Sequence, residues 1–297
     1  MRRSATPTPR PAARNDRTAG SRQPAGGLGG ESPNGEPRGS EPLGPEPRGP
    51  EPRQRWRVAF ARDGGGDGLA ARDLVAALVL ALRDAGLPLA VGPRAKQPVV
   101  LAAPLPAAMT AEHEVADVVL GDRLPVWRVR DAVAAALPPG YRLVALEDVW
   151  LGAPALAGSV VGAVYRTVLD ASADPGADAI DGAARELMRA RELPRTREKG
   201  SGAVRYDLRP LLASVDVVDP GPPTVVRIAT RFDPERGAGR PEEVLAAIGD
   251  RLGRPIVAAT TVRERVLLTD DVARAIEAGL PVRPRAQAAA SASRGRK

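Results

Sequence analysis

The fold is decided by residues 74–82, which read Leu-Val-Ala-Ala-Leu-Val-Leu-Ala-Leu. Their leucines and valines recur at a spacing of about 3.6 residues, which predicts an amphipathic helix over residues 69–85. Gly86 and Pro88 come next and predict where this helix ends. The segment before the helix, Trp56-Arg57-Val58-Ala59-Phe60, alternates large apolar side chains with polar or small ones, as a half-buried strand does. The body of the chain therefore opens with a strand and a helix.

The same kinds of pattern continue along the chain. In the first half they predict strands over residues 99–103, 115–120 and 141–150 and a helix over residues 126–136. The resulting order, β-α-β-β-α-β, is that of the ferredoxin-like split unit. The order recurs in the second half, with strands over 161–171, 225–230 and 257–268, a strand or short helix over 211–218, and helices over 180–191 and 241–252. Between the first of these helices and residue 211 we predict a turn flanked by strands. We predict an α+β fold of two tandem ferredoxin-like units, residues 54–152 and 153–281, with a short helix over residues 271–279.

Both ends of the chain differ from the body in composition and charge. Residues 1–53 are rich in Pro, Gly, Arg and Glu and residues 282–297 in Arg, Ala and Ser, so we expect both tails to be disordered. Residues 1–55 carry a net +4 and residues 282–297 a net +5, which leaves −2 of the total of +7 for the body. The N-terminal tail is interpreted either as a basic arm that touches RNA or as a solvated tail. Its interspersed acids favour the solvated tail.

Composition excludes several kinds of site. The chain has no cysteine and one histidine, His113, so it offers no thiol nucleophile and no iron–sulfur ligands. A zinc site needs more nitrogen or sulfur ligands, and His113 is interpreted as a surface or strand histidine. The longest apolar run is too short to cross a bilayer and no hydrophobic leader follows the first residues, so we expect a cytoplasmic protein.

A glycine-rich segment, Asp63 to Gly68, follows the first strand. A strand, a glycine loop and a helix in this order suit a phosphate-binding loop. The segment has no Gly-Lys-Ser/Thr ending and no Rossmann spacing, so a flexible turn is the favoured interpretation.

The densest cluster of charge lies in residues 194–212. Five basic side chains surround a glycine turn and the acid Asp207, and basic groups of this kind bind phosphates or carboxylates. RNA is the leading candidate ligand, because phosphate contacts give affinity without sequence readout. The structural alternative is that Asp207 caps a turn and pairs with Arg205 or Arg209, which holds a hairpin. The candidate RNA- or anion-binding residues are Arg195, Arg197, Lys199, Gly200, Arg205, Asp207 and Arg209.

Several segments carry a resemblance to a known family. In the first half they are Phe60 to Gly64, Asp73 to Ala90, Pro104-Leu105-Pro106, Glu114 to Asp117, and Leu137-Pro138 with Gly140-Tyr141. In the second half they are Arg197-Glu198-Lys199-Gly200, Tyr206-Asp207-Leu208-Arg209-Pro210 and Arg240 to Leu245. On these segments, residues 55–268 resemble the radical SAM-associated (radical SAM-linked) domain of unknown function, which is found in bacteria.

The resemblance implies a partner, since members of that family are encoded beside, or fused to, a B12-binding radical SAM protein. SAM, an iron–sulfur cluster and B12 would then belong to the partner enzyme, and this chain would bind no cofactor itself. The chain also departs from the family. A histidine that precedes the family's first helix is replaced by Ala71, while the nearby Asp73 is kept, and the family's Gly-Phe-Asn-Pro-His-Pro segment has eroded to residues 93–98. A function that needs those histidines is in doubt here.

Two classes of function follow. The first is a non-catalytic accessory module that binds RNA, a radical SAM enzyme, or both. The second is an RNA-modifying enzyme in which Asp73 or Asp207 is the working acid. Catalysis has the weaker support, because no Ser-His-acid triad can be assembled around His113. The chain has only eight aromatic residues and no pair of them placed on one strand for stacking bases, so base stacking also has little support.

Overall fold

The computed structural model describes residues 50–64, 68–92, 97–199 and 202–269. All of them belong to one compact unit. Most of the predicted tails and the predicted helix over residues 271–279 lie outside the described residues, as does the middle of the glycine segment. No helix in the described ranges is long and apolar enough to span a membrane.

The first half packs two helices on a four-stranded antiparallel sheet. Its strands lie in the order β4-β1-β3-β2. Apolar side chains from alternate positions of β1, such as Trp56 and Phe60, pack against the face of α1 that carries Leu74, Leu78 and Leu82. The elements are β1 (Gln54–Arg62), α1 (Ala71–Asp84), β2 (Val99–Leu101), β3 (Thr110–Leu120), α2 (Val126–Ala136) and β4 (Tyr141–Asp148).

The second half repeats this arrangement and adds a hairpin. Its strands lie in the order β11-β5-β9-β8, again antiparallel, and the short β10 pairs with the end of β9. The hairpin of β6 and β7 forms a separate two-stranded sheet. The elements are β5 (Val160–Leu169), α3 (Ala177–Arg189), β6 (Pro194–Lys199), β7 (Gly202–Asp207), β8 (Leu212–Asp219), β9 (Val225–Asp233), β10 (Gly237–Ala238), α4 (Pro241–Leu252) and β11 (Ala258–Leu268).

The two halves share one sheet of nine strands. The last strand, β11, runs parallel to β3 and pairs with its first residues, so that Val262 lies beside Thr110 and Arg263 beside Ala111. The predicted mixed α+β fold is confirmed. The assignment of both halves to tandem ferredoxin-like units, with a boundary near residue 152, stays a prediction.

A buried ion pair lies at the junction of the halves. Arg263 of β11 donates from Nε to Glu114 Oε1 of β3 at 2.6 Å and from Nη2 to the second carboxylate oxygen. Both side chains are almost fully buried, and Arg263 also donates to the carbonyl oxygen of Pro104 at 3.1 Å. Burial alone would lower the pKa of Arg263, but the hydrogen bonds and charge of Glu114 outweigh burial and raise it. The guanidinium therefore stays charged inside the protein.

A second buried cluster holds the segment that links the halves. Asp117 of β3 accepts hydrogen bonds from Arg55 at 2.8 Å and from Arg57 at 3.1 Å. The remaining donors of Arg55 reach the carbonyl oxygens of Ala153 at 3.1 Å and Pro154 at 2.9 Å. Because the Asp117 carboxylate and the Arg55 guanidinium are both fully engaged, this cluster fixes the path of the chain after β4.

We predict that Arg263→Ala lowers the free energy of unfolding by about 3–5 kcal/mol, because Glu114 would be left charged and buried without a partner. The double variant Arg263→Met/Glu114→Leu removes both charges and should lose less stability than Arg263→Ala. Urea denaturation of the three proteins measures the difference. Equal losses in the single and double variants would contradict this account.

Candidate nucleic-acid interface

The predicted basic cluster forms the hairpin of β6 and β7 and the turn that follows it. The register places Arg195 opposite Tyr206, Thr196 opposite Arg205, and Arg197 opposite Val204. Successive side chains of a strand point to opposite faces, so Arg195 and Arg197 share one face of the hairpin. Gly200 and the side chain of Lys199 lie outside the described residues.

Arg195 and Arg197 face α4 rather than solvent. Arg195 forms an ion pair with Asp250 and donates to the carbonyl oxygen of Glu243 at 3.3 Å. The guanidinium of Arg197 lies 4.3 Å from the centre of the Tyr206 ring, and its Nε lies 3.9 Å from Glu243 Oε1. Both arginines therefore attach the hairpin to α4, which is the structural role that their charge alone did not predict.

Tyr206 and Glu243 meet beneath this face. The Tyr206 hydroxyl and Glu243 Oε2 are both buried, and neither has a hydrogen bond of acceptable geometry within the described part of the chain. Burial raises the pKa of the Tyr206 phenol, and the neighbouring Glu243 carboxylate raises it further. The phenol is therefore protonated at neutral pH.

Asp207 occupies the position of a turn cap. Its Oδ1 accepts hydrogen bonds from the backbone N–H of Leu193 at 2.7 Å and of Arg209 at 3.0 Å. An aspartate that bonds backbone groups two residues ahead is typical of a tight turn. The Arg209 side chain points elsewhere and donates to the carbonyl oxygens of Met188 at 2.8 Å and Leu212 at 3.2 Å. Asp207 thus caps a turn, as the structural alternative for this segment predicts. Its partners are backbone N–H groups, however, and not arginine side chains.

Asp73, the other weak catalytic candidate, is exposed in the first turn of α1. A carboxylate at this position stabilises the positive end of the helix dipole. The described residues contain no group of three or more His, Cys, Asp or Glu that could hold a metal ion. His113 lies in β3, half-buried.

Among the candidate residues whose side chains the structure describes, Arg205 is the one cation without a side-chain hydrogen bond or ion pair. It is exposed and lines an open cleft of about 640 Å³ together with Arg191, Arg209 and Arg236. Two acids, Asp207 and Glu235, also line this cleft, so its charge is net positive. Within the described ranges, Arg191 and Arg205 form no hydrogen bond or ion pair through their side chains, and Arg236 lies 3.9 Å from Asp233. An arrangement of exposed guanidinium groups around a cleft can bind phosphate oxygens.

Sequence reasoning missed Arg191 and Arg236. Arg191 follows the last turn of α3, and Arg236 lies in the turn between β9 and β10. Both reach the cleft only because α3 and the β9–β10 turn pack beside the hairpin, and no local sequence signal carries that information.

Residues 55–240 match the model of a family described as uncharacterised proteins conserved in bacteria, DUF2344. The chain belongs to DUF2344. The matched region includes both halves of the fold up to the start of α4 and contains the hairpin and all residues that line the cleft. The description of DUF2344 mentions no radical SAM enzyme. No protein with a curated function matches this DUF2344 chain.

Comparison with solved structures gives distant similarities. A chain in the crystal structure of a Cbf5-Nop10-Gar1 complex shares 9% identity, with a TM-score of 0.43, and the match covers 70% of this chain and 48% of that one. A chain of the archaeal box H/ACA sRNP Nop10-Cbf5 complex shares 10% identity, with a TM-score of 0.37 and coverage of 70% and 47%. The DUF2344 chain thus spans about half the length of these proteins, and scores this low carry no conclusion about function.

We predict that Asp207→Ala lowers the free energy of unfolding by about 1–3 kcal/mol, because two backbone N–H groups lose their acceptor. Asp207→Asn keeps the Oδ1 acceptor and should lose less. Denaturant unfolding measures both variants. An Asp207→Ala protein as stable as the wild type would show that the cap does not hold the turn.

A second prediction concerns alkaline pH. Because the pKa of Tyr206 is higher in the folded than in the unfolded protein, its contribution to stability is complete below about pH 10 and is lost above it. Tyr206→Phe removes the titrating hydroxyl and should therefore reduce the loss of stability above pH 10. Burial also raises the pKa of Tyr165, so Tyr165→Phe/Tyr206→Phe should reduce that loss further. Denaturant unfolding across this pH range provides the test, and an unchanged alkaline loss in both variants would oppose the interpretation.

Proposed function

We propose that this protein is a non-catalytic accessory protein that binds RNA at the cleft beside the β6–β7 hairpin. The observation that carries the proposal is that Arg191 and Arg205 are exposed at this cleft without a carboxylate partner in the described part of the chain. Exposed guanidinium groups without internal partners are suited to contact phosphate oxygens and to release counterions from a nucleic acid.

The charge of the body strengthens this interpretation. Residues 56–281 carry a net charge of −2, so the body as a whole is not basic. The cluster of arginines at the cleft is therefore a local feature. Three of the four arginines at the cleft are exposed, and the fourth, Arg209, is held by carbonyl oxygens. The cleft would therefore contact the backbone of the RNA and would read no sequence.

We further propose that the protein works with a B12-binding radical SAM enzyme in the cytoplasm, in the modification or processing of tRNA or rRNA. This part rests on the family resemblance of the sequence. The enzyme would hold the SAM, the iron–sulfur cluster and the B12. We also propose that the two halves are tandem ferredoxin-like units, an arrangement supported by the strand orders β4-β1-β3-β2 and β11-β5-β9-β8.

The alternative, an RNA-modifying enzyme in its own right, would use Asp73 or Asp207. Asp207 Oδ1 is engaged by two backbone N–H groups, and Asp73 is exposed at a helix start, so neither has the surroundings of a general acid or base. Formation of a modified nucleotide by the purified chain, abolished in Asp207→Asn, would establish this alternative and overturn the accessory role.

RNA binding is tested by titration of mixed tRNA and rRNA at several salt concentrations. We expect Arg191→Gln/Arg205→Gln to weaken binding and to lower the slope of log K against log salt by about 0.7 for each phosphate that is no longer neutralised. The control, Arg72→Gln/Arg83→Gln, removes the same charge from exposed positions of α1 and should bind as the wild type does. No binding at low salt, or equal effects of the two double variants, would overturn the proposal.

The enzyme partner is tested separately. The tagged protein should retain a B12-binding radical SAM enzyme from the same bacterium in a pull-down with both proteins purified. Failure of the two to associate, with and without RNA, would remove the radical SAM part of the proposal and leave RNA binding intact.

A further inference from the structure

Two of the three tryptophans are exposed, and they lie at the same end of the first half. Trp127 is 63% exposed and Trp150 is 78% exposed, whereas Trp56 is only 4% exposed. Tryptophan is the largest side chain and buries most of its surface in a protein that needs it only for packing. Two rings left in solvent therefore indicate a contact surface.

The side chain of Gln54 brings the two segments together. Its Oε1 accepts a hydrogen bond from the backbone N–H of Leu124 at 3.0 Å, and its Nε2 donates to Asp148 Oδ2 at 3.1 Å. Trp127 follows Leu124 in the first turn of α2, and Trp150 follows Asp148 at the end of β4. The buried Gln54 thus connects the segment before α2 with the end of β4, and each of these segments is followed by an exposed tryptophan.

The Trp150 ring is also held in place by its own turn. It lies against the backbone of Gly152, where an added Cβ would stand 2.5 Å from the ring. The arrangement leaves the ring supported from below and open to solvent, which is the geometry a stacking platform needs.

Three arginines lie next to Gln54 in sequence or at the start of α2. Arg53, Arg123 and Arg128 are exposed, and none of them forms a side-chain hydrogen bond or ion pair in the described ranges. Arg53 and Arg123 line an open cleft of about 680 Å³ with Asp122 and Leu124. Asp148, at the end of β4, accepts a hydrogen bond from Gln54.

The start of α2 adds to this positive charge. Its first turn contains Arg128 and no acidic residue, and no side chain caps it. A cation at the positive end of a helix dipole is unfavourable unless an anion binds there. The aromatic rings and the unneutralised charge together match a ligand with flat bases and phosphates.

We propose that Trp127 and Trp150 stack the bases of single-stranded RNA, with its phosphates contacted by Arg53, Arg123 and Arg128. This inference rests on the proposed RNA-binding function and adds base contacts to it. The surface is distinct from the hairpin cleft, because β4 and β10 lie at opposite ends of the sheet, about 25–30 Å apart at the usual strand spacing. Exposed Val126 and Val144 lie near the same end, but three arginines that form no ion pair within the described ranges favour an anionic partner over an apolar protein surface.

The test uses the full chain and two probes, single-stranded oligouridylate and duplex RNA of equal length. Oligouridylate should quench the fluorescence of the exposed tryptophans, and the signal from buried Trp56 should remain. Trp127→Ala and Trp150→Ala should each lower affinity for oligouridylate about 5-fold or more and leave duplex affinity unchanged. Trp127→Phe and Trp150→Phe keep an aromatic face and should lose less affinity for oligouridylate than the alanine variants.

The outcomes separate the two proposals. If the alanine variants bind oligouridylate as the wild type does while Arg191→Gln/Arg205→Gln weakens binding, the stacking surface is overturned and the RNA-binding function stands. If the wild type binds neither probe, both are overturned. If Trp127→Ala/Trp150→Ala instead converts a dimer to a monomer in sedimentation and leaves RNA affinity unchanged, the surface contacts a second copy of the chain and the inference is wrong.

Discussion

The buried ion pair between Arg263 and Glu114 is the constraint on which the arrangement of the whole molecule depends. It lies where β11 meets β3, the one place at which described strands of the two halves pair. Two charges removed from water are tolerated because the guanidinium and carboxylate meet through two hydrogen bonds and the remaining donors reach carbonyl oxygens. The pair discriminates against alternative registers of β11, since a shift by one residue would bury Arg263 without its partner. One sheet of nine strands results, in place of two separate ones.

The hairpin shows how charge that indicates a ligand site can serve structure instead. Its sequence combines five cations with two acids, and the simplest interpretation is a surface for anions. In the structure, Arg195 and Arg197 are paired with acids of α4, Arg209 binds carbonyl oxygens, and Asp207 caps the turn. The hairpin has almost no apolar mass of its own, so polar contacts attach it to the body. The exposed arginines that line the cleft are Arg205 and two arginines from other elements.

Local patterns predicted most of the elements and little of the site. The helices at 126–136 and 241–252 have the predicted bounds, because apolar spacing and the flanking Pro and Gly residues act within a few residues. Strand β3 begins at Thr110, five residues before its predicted start, because Glu114 is polar yet buried against Arg263. Long-range pairing of this kind leaves no periodic signal. For the same reason the sequence did not predict that Arg191 and Arg236 reach the cleft, or that Trp127 and Trp150 lie at the same end of the first half. Both arrangements depend on how distant segments pack.

Five arginines of the sheet are bound to carboxylates: Arg55 and Arg57 to Asp117, Arg263 to Glu114, and Arg166 and Arg227 to Glu264. Among the described residues, the arginines without such partners include Arg191 and Arg205 at the hairpin cleft and Arg53, Arg123 and Arg128 in the segments near the exposed tryptophans. The body has a net charge of −2, so it contains enough acids to neutralise all of its cations. These arginines lack ion pairs because of where they lie in the fold, and not because acids are scarce. Because the sheet is continuous, the two surfaces are held at a fixed separation, and a flexible single strand is the kind of ligand that can contact both.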